Sequence, residues 1–145
     1  DHWDSTSSKA AMIGLCYTLG SVEAIDNLDH VKAIQWYDQA LQYLDTPNIQ
    51  QFAAEHSTKQ ASGLGWHGER LVSMGLSYWS TGNTTQGLRL TQQGIAWIET
   101  AVRDHGFPNH HLKIPYSNLA VMTKSLEQRQ DIQNIANGDD NSKQR

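Results

Sequence analysis

A single cysteine, Cys16, stands in a chain of 145 residues, so an internal disulfide is impossible and a cross-linked fold is excluded. Cys16 falls in an apolar helical run, and nothing nearby supplies the basic, partly open setting of a reactive thiol; a buried, inert side chain follows. Proline is scarce, with three in the chain, and no stretch alternates β-branched with polar residues, which points to an all-α class. No apolar run approaches the length that crosses a bilayer. Basic blocks are missing too: 11 Lys and Arg stand against 15 Asp and Glu, a formal net charge of −4. Nucleic acid and anionic membrane surfaces, which clustered positive charge attracts, are therefore not expected as partners. The chain starts at Asp1 with no signal peptide in view, and reads as a piece of a longer protein. Its compartment stays open, with a leaning to the cytoplasm.

What is present is helical periodicity, clearest from Glu69 to His105. Leu71, Met74 and Tyr78 recur at helical spacing, widened by Val72 and Trp79. Gly82-Asn83 interrupts the pattern, and Asn83 or Thr84 can cap a second helix by accepting a bond from an orphan backbone N–H. Leu88, Thr91, Ile95, Ile98 and Val102 then carry a second stripe. Two antiparallel helices on a very short turn follow. Gly75, Gly87 and Gly94 lie inside them, each at a cost of about 1 kcal/mol relative to alanine. Close backbone approach is the compensation, with Gly75 and Gly87 suited to one crossing.

Leu71, Gly75, Tyr78, Gly82, Gly87 and Gly94 fall, without a gap, at the spacing of a tetratricopeptide repeat, which this stretch resembles. That family's unit is a helix–turn–helix of about 34 residues. The second helix departs by carrying Gly in place of Ala, and Thr91 where the family prefers an aromatic. Two altered copies flank it. Upstream, Gly14 and Tyr17 repeat the spacing of Gly75 and Tyr78, and KAIQWYDQAL carries Ala33, Tyr37 and Ala40 in second-helix positions, continuing to Leu44. Seven additional residues separate those helices, as longer helices or as an Ω-like loop, with Asp29 a candidate cap. Downstream, Tyr116 to Leu126 sets Leu119, Ala120 and Thr123 in the roles of Met74, Gly75 and Tyr78; its partner, QDIQNIA, is short or frayed.

The resemblance implies a right-handed solenoid of about two and a half repeats in one domain, 1–136. Its units span about 5–45, 66–105 and 112–136, with an insertion at 46–65 and a disordered tail at 137–145. Asp4 or a following serine caps the first helix, Thr46-Pro47 starts a short helix within the insertion, and HGFPNHHLKIPY is a loop. First helices of that family line a concave groove that takes peptides or partner helices. Spacing carries this over to Leu15, Thr18, Leu76, Trp79, Val121 and Lys124. The set is mainly apolar with one cation and lacks the family's carboxylate clamp, so a hydrophobic partner segment is implied.

Chemistry-bearing motifs were weighed against that binding role. Gly63-x-Gly65-x-x-Gly68 matches a dinucleotide fingerprint as a string, but neither a preceding strand nor an acid some twenty residues on accompanies it. These glycines are read as admitting Trp66 against neighbouring helices. His105, His110 and His111 share one loop without a carboxylate framework, and exposed loop histidines explain them. His67 is read as structural. No turn motif presents a nucleophile to a base. Asn83-Thr84-Thr85 forms a glycosylation string that capping explains equally well, and Trp36, Trp79 and Trp97 are read as packing. The expected function is therefore a non-catalytic protein–protein interaction scaffold with no cofactor. Two alternatives remain: a terminal stack packed against other domains of its own chain, or an enzyme or metal-binding domain using His67 or the His105–His111 loop.

Overall fold

The structure is a computed structural model that describes residues 5–43 and 63–143, with side chains at 11–43 and 63–138. Among the described residues five α-helices pack together: α1 (Ser5–Ser21), α2 (His30–Tyr43), α3 (Gly63–Ser80), α4 (Thr84–His105) and α5 (Lys113–Lys143). A π-helical segment, Val22–Asp26, prolongs α1, and a 3-10 turn, Asn109–Leu112, leads into α5. Among the described residues there is no strand. Asp4, Leu44 and the Thr46-Pro47 start signal lie outside the described residues.

The α3–α4 hairpin turns through Thr81–Asn83. Asn83 caps α4, its Oδ1 accepting the Gln86 N–H at 3.2 Å. Gly106 ends the helix in the left-handed region at φ 69°, its N–H bonded to the Ala101 carbonyl, a conformation that any Cβ would strain. Between these ends the two backbones nearly touch. A Cβ built on Gly75 would lie 2.8 Å from the Gly87 carbonyl oxygen and 2.7 Å from Thr91 Oγ1. One built on Gly87 would lie 2.8 Å from the Gly75 carbonyl. A second crossing sits seven residues along each helix, where a Cβ on Gly68 would meet the Gly94 carbonyl at 2.6 Å and one on Gly94 the Gly68 carbonyl at 2.5 Å. Gly68 is thus part of the hairpin seam, whereas Gly65 is the glycine that faces an aromatic, Phe107. Thr91 is fully buried, its hydroxyl donating to the Gly87 carbonyl at 2.8 Å. An aromatic there would not fit a seam this narrow.

In α2, Ala33, Tyr37 and Ala40 form the buried face. Asp29 caps this helix through Oδ1, which accepts the Lys32 N–H at 3.0 Å. The additional residues between α1 and α2 prolong the first helix in π form; Asn27 N–H reaches back to the Val22 carbonyl at 3.2 Å, and Leu28 turns the chain at φ 52°. His30 then ties the turn to α3 through a 2.8 Å bond between Nδ1 and Ser77 Oγ. Cys16 is buried and free.

Among the described residues, buried side chains form three clusters along the chain. Ile13, Cys16 and Ala40 close one between α1 and α2. Ala33, Tyr37, Leu71, Met74, Tyr78, Leu90 and Trp97 join the two hairpins. Val72, Ile95, Ile98, Phe107 and Leu112 join α3 and α4 to the start of α5.

The C-terminal third differs from expectation. The HGFPNHHLKIPY loop is confined to residues 106–108; the 3-10 turn and α5 begin within it, with Pro115 in the first turn, where a missing N–H leaves no bond unmade. Instead of ending near Leu126 and starting a short partner, α5 runs on as one helix to Lys143. Helix therefore also covers 137–143 of the segment expected to be a disordered tail. No proline breaks this stretch, Gly138 is a weak breaker, and Gln, Arg, Glu and Ala are good helix formers. The distal half leaves Ile132 and Ile135 exposed. At the other boundary, Gly63–Gly65 belong to α3 and not to the insertion; 46–62 lie outside the described residues.

Two measurements check this account. Gly75→Ala and Gly68→Ala should each destabilise by about 2 kcal/mol despite alanine's better helix propensity. Gly14→Ala, whose Cβ would meet nothing within 4 Å, should stabilise by about 0.5–1 kcal/mol in the same denaturant titration. Tyr78 is buried and its hydroxyl donates to Asp38; burial first, then that bond, hold the phenol well above its ordinary value of 10.0. The fold favours the neutral phenol, so this contribution is complete below about pH 10 and is lost as pH rises toward the folded value. Tyr78→Phe should cost about 1 kcal/mol at neutral pH and flatten the alkaline decline of the unfolding midpoint.

Candidate functional site

Helix α3 shows two different faces. Gly68, Leu71 and Gly75 turn toward the hairpin seam and core, whereas Glu69, Val72, Ser73 and Leu76, at helical spacing, form the floor of an open groove. One wall comes from Tyr17 of α1 and Ile25 of the π segment. The other comes from His110 and His111 of the 3-10 turn and Ile114, Pro115 and Asn118 of α5. The groove holds about 500 Å³, the size range of a ligand site or a few docked side chains. Ile25, Leu76 and Ile114 project into it with 65%, 42% and 70% of their surface exposed, an apolar concentration that water does not favour.

One end of the groove is polar and aromatic. His111 Nδ1 lies 2.6 Å from Glu69 Oε1, with both side chains partly covered. Three rings pack against His111. Phe107 lies tilted against it at 4.4 Å between centroids, His110 stacks on it at 4.4 Å, and Trp66 meets it edge-on at 5.3 Å. The pair ties α3 to the chain that enters α5 and fixes the wall on that side. It also holds an imidazole in one orientation beside an apolar trough. Opposite, the Arg70 guanidinium lies 5.1 Å over the Tyr17 ring, a cation–π contact between α3 and α1.

Of the residues assigned to a groove by spacing, Leu76 lines it. Leu15 and Val121 are exposed at 52% and 66%, and Thr18 and Lys124 are exposed as well, but the groove walls run through Tyr17, Ile25, Ile114 and Asn118 instead. Trp79, half-buried one turn beyond Leu76, carries the Arg129 guanidinium 5.8 Å above its ring. The C-terminal shift has a clear origin: aligning Leu119–Thr123 with Met74–Tyr78 starts the helix too late, and the residues that face the groove occupy its first turns.

The expected set also missed the Glu69–His111 pair. His105 and His110 are exposed as read from sequence, but His111 is held in the 3-10 turn. The only sequence signal was the coexistence of a buried-face Phe107 and the paired histidines beside a proline. His67 lies away from this groove, lining a space of about 20 Å³ with Ile13, Tyr17, Arg70 and Trp97; that is room for a water molecule, not a ligand. Among the described residues no three His, Cys, Asp or Glu side chains converge as a metal site, and no helix is long and apolar enough to cross a membrane.

Comparison of the chain with models of known protein families, with curated proteins and with solved structures found no match in any of the three.

If the pair positions the wall, Glu69→Gln and His111→Ala should each cost about 1 kcal/mol, a modest figure for a partly exposed bond. A double-mutant cycle by chemical denaturation should show that the two losses are not additive. Additive losses would make the contact incidental.

Proposed function

We propose that the chain is a non-catalytic interaction scaffold, built as a short TPR-like stack of helical hairpins, that binds an apolar peptide or helix in the groove over α3. The observation that carries the reading is the groove itself, where Ile25, Leu76 and Ile114 lie exposed on three separate elements. Isolated exposed aliphatics are ordinary, but three facing one concave space are a docking surface.

Other features support the TPR-like part of the reading. Two of the clusters join each hairpin to the element that follows it in chain order, and the third closes α1 on α2, as in a stack whose units contact mainly the adjacent ones. The small residues that resemble the family's pattern, Gly75, Gly87 and Ala33, are buried where helices meet. The first helices α1, α3 and α5 all contribute to the groove. An amphipathic helix suits such a trough, since side chains three and four apart would reach Ile25, Leu76 and Ile114 while its polar face stays wet.

A displayed library of helix-forming peptides, selected on the folded protein, tests this reading. Selected sequences should carry an aliphatic or aromatic stripe, and Leu76→Asp or Ile114→Asp should weaken their binding at least about tenfold, roughly 1.4 kcal/mol, with helicity and thermal midpoint unchanged. Selection of no stripe, or binding indifferent to both substitutions, would overturn it.

A further inference from the structure

Two exposed surfaces border the groove and carry opposite charge. The first is the turn between α1 and α2. Across residues 21–31 it has three acids, Glu23, Asp26 and Asp29, and no Lys or Arg. Each acid directly follows an aliphatic residue, in the pairs Val22-Glu23, Ile25-Asp26 and Leu28-Asp29. Leu28 is 80% exposed and Val31 60% exposed. Leu28 also holds φ 52°, a left-handed conformation that a leucine adopts at a cost and that asparagine or glycine takes readily. Neither burial nor backbone preference within the described fold favours a leucine at this point.

The second surface is the first half of α5. Residues 113–126 contain Lys113 and Lys124 and no acid. Ser117, Val121 and Lys124 follow one another at helical spacing on its exposed side, with Val121 66% exposed. Among the described residues no helix packs on this side, because α5 runs on as one helix to Lys143 instead of folding back.

We propose that these surfaces are complementary, and that the α1–α2 turn of one molecule docks on the exposed side of α5 of a second copy, head to tail. The aliphatics Leu28 and Val31 meet Val121, and the acids flanking Leu28 face Lys124 and Lys113. Opposite charges of three and two set the polarity, because turn against turn or α5 against α5 would place like charges together. Such a contact is heterologous: a pair leaves a free turn on one copy and a free α5 on the other, so growth continues with concentration instead of stopping at a dimer. The contact does not use Leu76 or Ile114, so it stands apart from the groove reading.

Sedimentation velocity on the whole 145-residue chain provides the test. The wild type should associate progressively with concentration, and about tenfold more weakly at 0.5 M than at 0.05 M NaCl, since salt screens the charges. One variant, Asp26→Lys with Leu28→Asn, blocks the turn while suiting the left-handed backbone. The other, Val121→Asn with Lys124→Glu, blocks α5 on an exposed face. Each alone should be monomeric with an unchanged thermal midpoint. Mixed, they should form a 1:1 dimer that grows no further, because one intact turn and one intact α5 remain. Leu76→Asp should associate as the wild type does. A wild type that stays monomeric at low salt, association that persists in either variant (as it would through Ile132 and Ile135), or a mixture that remains monomeric would each overturn the proposal.

Discussion

The structure depends on how closely α3 and α4 approach. Two glycine pairs, Gly68 with Gly94 and Gly75 with Gly87, bring carbonyl oxygens to within 2.5–2.8 Å of where a Cβ would stand. Four helical glycines forgo about 4 kcal/mol of helix propensity, a large share of the 5–15 kcal/mol that stabilises an ordinary domain. The return is close backbone approach at both crossings, where dispersion contacts are dense and the crossing has little freedom to slide. Repetition at seven residues on both helices makes the register unique, since a slip by one residue would drive side chains into carbonyls at both crossings. Thr91 belongs to the same constraint. Its hydroxyl satisfies itself on the Gly87 carbonyl, so a polar side chain can be buried beside the seam without a distant partner.

Local signals were legible in the sequence and long-range ones were not. The Asn83 and Asp29 caps each rest on residues three positions apart, and composition together with period identifies them. The first crossing, Gly75 with Gly87, was legible because an aromatic and a Gly-Asn turn frame it. Gly68 was obscured by a glycine-dense string whose apolar spacing is thin, and its partner at Gly94 becomes visible only when the hairpin register is extended. The Glu69–His111 bond joins residues 42 apart, and no periodicity encodes such a contact. The fate of QDIQNIA was misread for a different reason. Two isoleucines and an alanine suggest a helix face, but periodicity does not reveal whether a helix turns back or runs on. With no strong breaker between Tyr116 and Gly138, running on is the simpler outcome.

The π segment shows how an irregularity creates a site. Inserting it after Ser21 prolongs α1 without a loop and carries Ile25 into the groove wall. A tight turn like that of α3–α4 would have ended the helix before this residue. π turns are rare and occur frequently at functional sites. Here the same insertion produces both the groove's aliphatic wall and the acidic, strained tip beyond it.

Groove and seam are finally joined through one side chain. Val72 lines the groove, is 5% exposed, and its Cγ2 stands 2.7 Å from the place a Cβ on Gly94 would occupy. Any residue larger than glycine at that position must displace Val72 or the backbone behind it. A valine has a single stiff rotamer in a helix, so displacement would move α3 and with it Glu69, Ser73 and Leu76. The glycine seam therefore does more than stabilise a hairpin. By pinning α3 from behind, it sets the height of the groove floor against walls carried by α1 and α5, and the shape of the groove is fixed by glycines that do not line it.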